Sequence, residues 1–301
     1  VQITLTLRKI RELYTVIDTT DGGATAGKRI KPTTSDTHNK IDQFVSDVLN
    51  DNELNINPQF DLKYVFLDDD ERKRFAKFEH EYLIERSKMI EKTNITEETY
   101  SQTINSASPI KYMVFLNQRS DAEDRNDWNN YTNWIYEDIP PSSREYKNVE
   151  VFYNNLRGCY PFYSYNQTQN FSDGTSHKAN YKKQYLKKNI LNTSVLKFNG
   201  MERFDPVSND YFEKVENFDY FKGNTKSGIN VYSFSLTPDD FQPSGACNFA
   251  NLNKIELENN YNLPFETSIA NGGYKINQRI YLIEYNILKI VSGMGSLAFV
   301  S

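Results

Sequence analysis

The segment INVYSFSLTPDDFQPSGACNFANLNKIEL, residues 229–257, decides how this chain folds. It gathers Asp239, Asp240, Ser244 and Cys247 within nine positions, which invites a catalytic reading. The order of residues argues instead for a shaped turn. Val231, Ser233 and Ser235 alternate with Tyr232, Phe234 and Leu236, the two-residue period of a strand. Pro238 presets φ, Asp239-Asp240 favours a turn, Pro243 blocks strand continuation and Gly245 permits positive φ. Phe241 and Phe249 are expected to pin the connection by burial. A second strand follows in NKIELEN (253–259), where Ile255 and Leu257 alternate with charges. A nucleophile at Ser244 or Cys247 needs a base, and His38, His80 and His177 all lie elsewhere in the sequence. The order Pro-Ser-Gly-Ala-Cys is not a GxSxG elbow. Adjacent aspartates on a turn normally point apart, which weakens an acid–base dyad.

Outward from this segment the strand pattern recurs. SPIKYMVFLNQ (108–118), VLKFNG (195–200) and RIYLIEYNILKIV (279–291) each read as strands, with Asn199-Gly200 and Gly272-Gly273 as turns. Residues 1–9 alternate Val1, Ile3, Leu5 and Leu7 against polar neighbours, and 62–67 is a further short strand candidate. Asp68 is placed to cap a helix, with Glu71 three residues later and Asp69 and Asp70 at its positive end. Phe75, Phe78, Tyr82 and Ile90 would share one face of that helix. No βαβ alternation is present, so antiparallel strands with long excursions predict an all-β sandwich or jelly roll.

The composition agrees. The chain of 301 residues carries 21 Tyr and 19 Phe, rings that a disordered chain would lack and that favour packed strands. Its net charge of -5 gives no bulk attraction to nucleic acid. Cys159 and Cys247 are too far apart for a CxxC metal pair, and a reducing compartment is their simplest home. No signal peptide and no apolar run of membrane-spanning length is found. The opening VQITLTLRKI, without Met, reads as a strand already under way in a longer protein. Residues 18–40 read as a flexible linker, and GGATAGK (22–28) fails as a phosphate loop because Arg29 stands where Ser or Thr is needed. HEYLIE (80–85) has Ile84 where a zinc-binding HExxH needs its second His. The Asp68–Asp70 run suits a solvated helix start better than a divalent-metal site. No cofactor and no catalytic or metal residue is expected.

Residues 119–193 form a long polar excursion with thin apolar content. KKQYLKKN (182–189) reads there as a solvated face rather than a nucleic-acid contact. Asn-x-Ser/Thr sequons place candidate glycosylation at Asn94, Asn130, Asn166, Asn170 and Asn192, four of them within this loop, which is expected on an outer face. Trp128, Trp134 and YPFYSY (160–165) support an alternative function, a glycan-binding β-sandwich that stacks sugars on exposed rings.

Residues 229–257 closely resemble the C-terminal signature of major capsid proteins of the nucleocytoplasmic large DNA viruses. YVFLDDDERKRFAKFEHEYLIE (64–85) looks like that family's opening of a second jelly roll. FNGMERF (198–204) resembles its Asn-Gly-x-x-Arg-Phe segment, and IYLIEYNILKIVSGMGSLAFVS (280–301) its closing strand and Ser-Gly-Met-Gly tail. Ala246 and Ser296 stand where the family pattern favours Thr and Gly. The resemblance implies a structural protein, not an enzyme. It implies a double jelly roll in which residues 1–17 hold the last strand of a truncated first roll, 18–58 are the linker, and 59–301 are the second roll with 119–193 inserted. It further implies a homotrimer, a pseudo-hexagonal capsomer tiling an icosahedral shell. The partners would be copies of itself, neighbouring capsomers and minor capsid proteins, without direct nucleic-acid contact and near an internal viral membrane. The location would be the virion, after assembly in the host cytoplasm.

Overall fold

The computed structural model describes residues 3–9, 12–17, 29–31, 58–134, 169–170, 176–177, 188–223, 225–262, 274–291 and 294–299. In chain order its strands are β1 (Val16–Ile17), β2 (Arg29–Ile30), β3 (His80–Ile95), β4 (Thr99–Thr103), β5 (Pro109–Arg119), β6 (Gln169–Asn170), β7 (Ser176–His177), β8 (Leu191–Phe198), β9 (Met201–Glu202), β10 (Val207–Ser208), β11 (Ile229–Ser233), β12 (Cys247–Asn248), β13 (Ile255–Tyr261), β14 (Ile276–Val291) and β15 (Met294–Leu297). Helix α1 (Asp69–Lys77) precedes β3, and a π-helical turn, Tyr211–Val215, runs into α2 (Glu216–Tyr220). The chain divides into two compact units, one of residues 1–57, 118–188 and 262–275 and one of 58–117, 189–261 and 276–301.

In the first unit β1 pairs with β2 and β6 with β7. Its described part is held by polar side chains. The buried Arg119 guanidinium forks onto both carboxylate oxygens of Asp121 at 2.8 and 2.6 Å, donates to the Asn133 carbonyl at 2.6 Å, and stacks 3.7 Å over the Tyr274 ring. A planar, permanently charged fork suits such a site, because it pairs with a carboxylate through two parallel bonds and still offers a flat face to a ring.

The second unit is a sandwich of two antiparallel sheets. One runs β10-β8-β13-β4, with β9 paired to β8; the other contains β11-β5-β14, with β3 and β15 on β14 and β12 on β5. β13 shows why these residues form a strand. Ile255, Leu257, Asn259 and Tyr261 are buried while Glu256, Glu258 and Asn260 are not, so alternate side chains face the core. β14 alternates likewise, burying Ile276, Ile280 and Leu282. Polar core residues are bonded across elements: Ser106 Oγ donates to Glu284 at 2.6 Å and Ser194 Oγ to Asn259 at 2.6 Å. Asn286, fully buried, donates to the Phe299 carbonyl and accepts from the Phe299 amide, which stitches the C-terminal segment onto β14.

The helix begins as expected, with the Glu71 amide donating to Asp68 Oδ1 at 3.3 Å. It ends at Lys77, so Tyr82 and Ile90 lie in β3 rather than on a helical face. The reason is tertiary. β3 pairs with β14 from His80↔Ile290 to Ile95↔Ile276, and fixing sixteen residues by a long ladder outweighs local helical preference. Residues 3–9 and 62–67 lie outside any strand among the described residues.

Leu257 is fully buried on β13, opposite Leu196 on one neighbour and Gln102 on the other. Leu257→Ala is expected to lower unfolding free energy by about 2–5 kcal/mol, read as a shift of the urea midpoint with little change in slope.

Candidate functional site

The connection from β11 to β12 is built from short hydrogen bonds. Thr237 N donates to Ser244 Oγ at 2.8 Å, and Asp240 N to the Thr237 carbonyl at 3.2 Å, which closes the turn. Lys222 locks it from outside: its amide donates to Asp239 Oδ2 at 2.8 Å and its ammonium to Asp240 Oδ1 at 3.1 Å. That ammonium also holds the Asp240 carboxyl below its ordinary range. Gly245 sits at φ +141°, and a Cβ there would lie 3.1 Å from the Phe234 carbonyl oxygen. The position therefore needs glycine for both conformation and space.

The two aspartates thus bind different atoms of one lysine and form no dyad. Ser244 Oγ is an acceptor for the turn. Burial raises the Cys247 thiol pKa, with Arg203 opposing only in part, so the thiolate is not favoured. Among the described residues no group of three or more His, Cys, Asp or Glu could hold a metal ion.

Around the turn the motif segments meet in one aromatic cluster. Phe212 is packed edge-on to Phe115 at 5.4 Å and lies near Phe204 and Tyr232; Phe249 meets Phe198 and Phe234 edge-on at 6.1 and 5.6 Å. Such geometry sets positive ring edges against negative faces. Asn199 and Gly200, at φ +52° and +83°, make the tight turn between β8 and β9. The Asn199 amide donates to the Lys254 carbonyl and its side chain accepts from the Lys254 amide. Arg203 donates from Nε to the Tyr232 hydroxyl at 3.0 Å. Phe249 is buried as expected, but Phe241 is fully exposed, at 101%. The turn's own hydrogen bonds and those from Lys222 hold it, so burial of Phe241 is not required.

Sequence reasoning missed two charged groups that support this cluster. Lys111, buried on β5, bonds Glu85 of β3. Burial works against its charge, but the Glu85 hydrogen bond and the negative charge outweigh it, and its pKa ends above the ordinary value. Glu216, buried at the start of α2, accepts from the Ser233 amide at 3.3 Å. Desolvation raises its pKa, against the pull of the bonds from Ser233 and Tyr211. No local pattern marks either residue, because their partners come from other elements.

Other candidate positions fall apart from this cluster. Asn94 is exposed, with its amide donating to Asn277 Oδ1. Asn130 is buried and fully engaged, donating to Asp127 and the Trp134 carbonyl and accepting from Thr132. Asn192 is half-buried and donates to Asn260. Asn166, the side chain of Asn170 and residues 160–165 lie outside the described residues. Trp128 carries the Arg8 guanidinium 3.8 Å over its ring and donates to the Glu12 carbonyl, and Lys188 lies 5.4 Å over Trp134. One face of each indole is therefore already occupied, which disfavours a sugar-stacking platform.

A family model described as large eukaryotic DNA virus major capsid protein matches residues 71–296. The major capsid protein of Phaeocystis pouchetii virus is 27% identical over 278 residues, covering 79% of this chain and 52% of that protein. The major capsid protein of Paramecium bursaria Chlorella virus 1 is 29% identical over 257 residues, covering 79% and 53%. The crystal structure of PBCV-1 VP54, fitted into a reconstruction of the virophage Sputnik, superposes with a TM-score of 0.53 at 26% identity, over 79% of this chain and 56% of that one. The chain spans about half the length of the curated relatives it matches.

Two outcomes are expected from the cluster. Gly245→Ala should cost more than about 1 kcal/mol in thermal or urea unfolding, since alanine is strained at positive φ. Glu216 has its folded pKa above the ordinary 4.5, so its contribution is favourable below that value and is lost as pH rises through the folded pKa. Glu216→Gln should therefore raise the melting temperature at neutral pH and leave it nearly unchanged below about pH 4.5.

Proposed function

Because this chain belongs to the large eukaryotic DNA virus major capsid protein family, we propose that it is a shell building block whose copies gather in threes as pseudo-hexagonal capsomers tiling an icosahedral capsid. The fold of residues 58–117, 189–261 and 276–301 is the jelly-roll sandwich, and its relatives are structural capsid proteins rather than enzymes. One observation carries the reading. The polar residues with the greatest chemical promise, Asp239, Asp240 and Ser244, are each bound into the turn that they build. Such a sandwich serves as a rigid brick, and assembly then needs complementary surfaces rather than reacting groups.

In this proposal residues 1–17 complete a first jelly roll and 18–58 link it to the second, which carries 119–193 as an outward excursion. The partners are sister copies, neighbouring capsomers and minor capsid proteins beneath the shell, near an internal membrane and without direct contact to nucleic acid. The protein resides in the virion after assembly in the host cytoplasm. Glycan attachment, where it occurs, fits Asn94 and not Asn130, whose side chain already makes its full set of bonds.

Light scattering on the purified protein should give three times the chain mass of 35.1 kDa. A monomer at tens of micromolar would end the capsomer reading. Glycopeptide mapping of virion-derived protein should find Asn130 unmodified, and a glycan there would contradict the buried hydrogen-bond network.

A further inference from the structure

The six-stranded sheet of the second unit has two different edges. Leu288, Lys289 and Ile290 of β14 pair with β15 and also with β3. A strand residue has only two lateral neighbours, so β3 lies on one side of β14 and β15 on the other. Because β3 runs along nearly all of β14, β5 must lie on the β15 side, with β11 and β12 beyond it. β3 and β11 therefore stand at opposite edges.

Each edge carries an exposed apolar patch. At the β11 edge, Phe218 of α2 is 86% exposed and Leu236 is 74% exposed, and both line one cleft of about 380 Å³ with Tyr220, Phe221 and the Asp239–Asp240 turn. Phe241 follows that turn, fully exposed on a loop that Lys222, Ser244 and Gly245 hold rigid. At the β3 edge, Phe75, Phe78 and Tyr82 are 51%, 57% and 43% exposed. Phe75, Phe78 and His80 line a second cleft of about 390 Å³ with Arg74. The rings of Phe75, His80 and Tyr82 form a stacked row. Large apolar side chains clustered in water beside a hydrogen-bonded turn mark an interaction surface rather than a solvated loop.

Resting on the trimer reading above, we propose that Phe241, with Phe218 and Leu236, seats against the Phe75, Phe78 and Tyr82 face of the next copy. The area supports one occupant, a second copy of this chain. Taking about 200 Å² for an aromatic side chain, the exposed parts of these six side chains amount to roughly 800 Å². That is close to the non-polar share of a standard interface of about 1,600 Å². Neither patch reaches that share alone. Patches on opposite edges meet head to tail, and a head-to-tail contact repeats until the ring closes.

Phe241→Glu tests the contact without touching the core, since the side chain makes no buried packing. At concentrations where both proteins are monomeric its melting temperature should match wild type, while the dissociation constant of the oligomer rises by at least about 30-fold, as expected for an aromatic anchor. Mixing Phe241→Cys protein with Phe75→Cys protein under mild oxidation should give a cross-link between chains that neither variant gives alone, with wild type reporting any background from Cys159 and Cys247. A wild-type trimer that Phe241→Glu leaves intact would overturn this contact and leave the trimer standing. A Phe241→Cys protein that links to itself but not to Phe75→Cys would replace it with a like-to-like contact. A monomeric wild type would remove both.

Discussion

β14 is the strand on which the rest of the sandwich depends. Its sixteen residues are flanked along almost their whole length by β3 and, on the other side, by β5 and β15. A strand this buried must satisfy every backbone donor and acceptor through its neighbours, because an unpaired buried amide is costly. That requirement places β3 at one edge and β11 at the other. It also decides where α1 and the β11–β12 turn emerge, since each is attached to an edge strand. The apolar surfaces exposed at those two edges thus follow from the pairing of one central strand.

The residues that make the sequence recognisable act mainly as fasteners. Asn199 ties the β8–β9 turn to the start of β13, Arg203 reaches Tyr232 on β11, and Asn286 binds the last described residues to β14. The edge-to-face rings of Phe198, Phe212, Tyr232, Phe234 and Phe249 connect these segments. Each fastener joins one element to another, so losing one loosens a junction rather than a single strand. In the shell-unit role proposed above, such junctions are useful and a water-excluding active site is not.

Strands with clear alternation were legible in the residues alone. β13 and β14 bury alternate side chains, and their periods could be read directly. So could the Asn199-Gly200 turn and the Asp68 cap, because both depend on local conformation. β3 was not legible. HEYLIERSKMIEK carries charges at spacings that suit a helix, and only the distant β14 makes it a strand. The π-helical turn and α2 were likewise hidden, since their register depends on Phe212 entering the aromatic cluster. Phe241 was expected inside and stands outside, because apolar character alone does not reveal which ring is covered within one chain.

By itself the sequence determined the all-β class, the turn at 237–245 and the capsid family, through periodicity, special backbone positions and ordered motifs. All three are carried by residues close together along the chain. The tertiary structure alone decided the partner of β3, the pairing of buried Lys111 with Glu85, and which aromatic rings remain uncovered. Those outcomes depend on contacts between segments separated by tens to hundreds of residues, where the energy of a pairing is set by what else competes for the same edge.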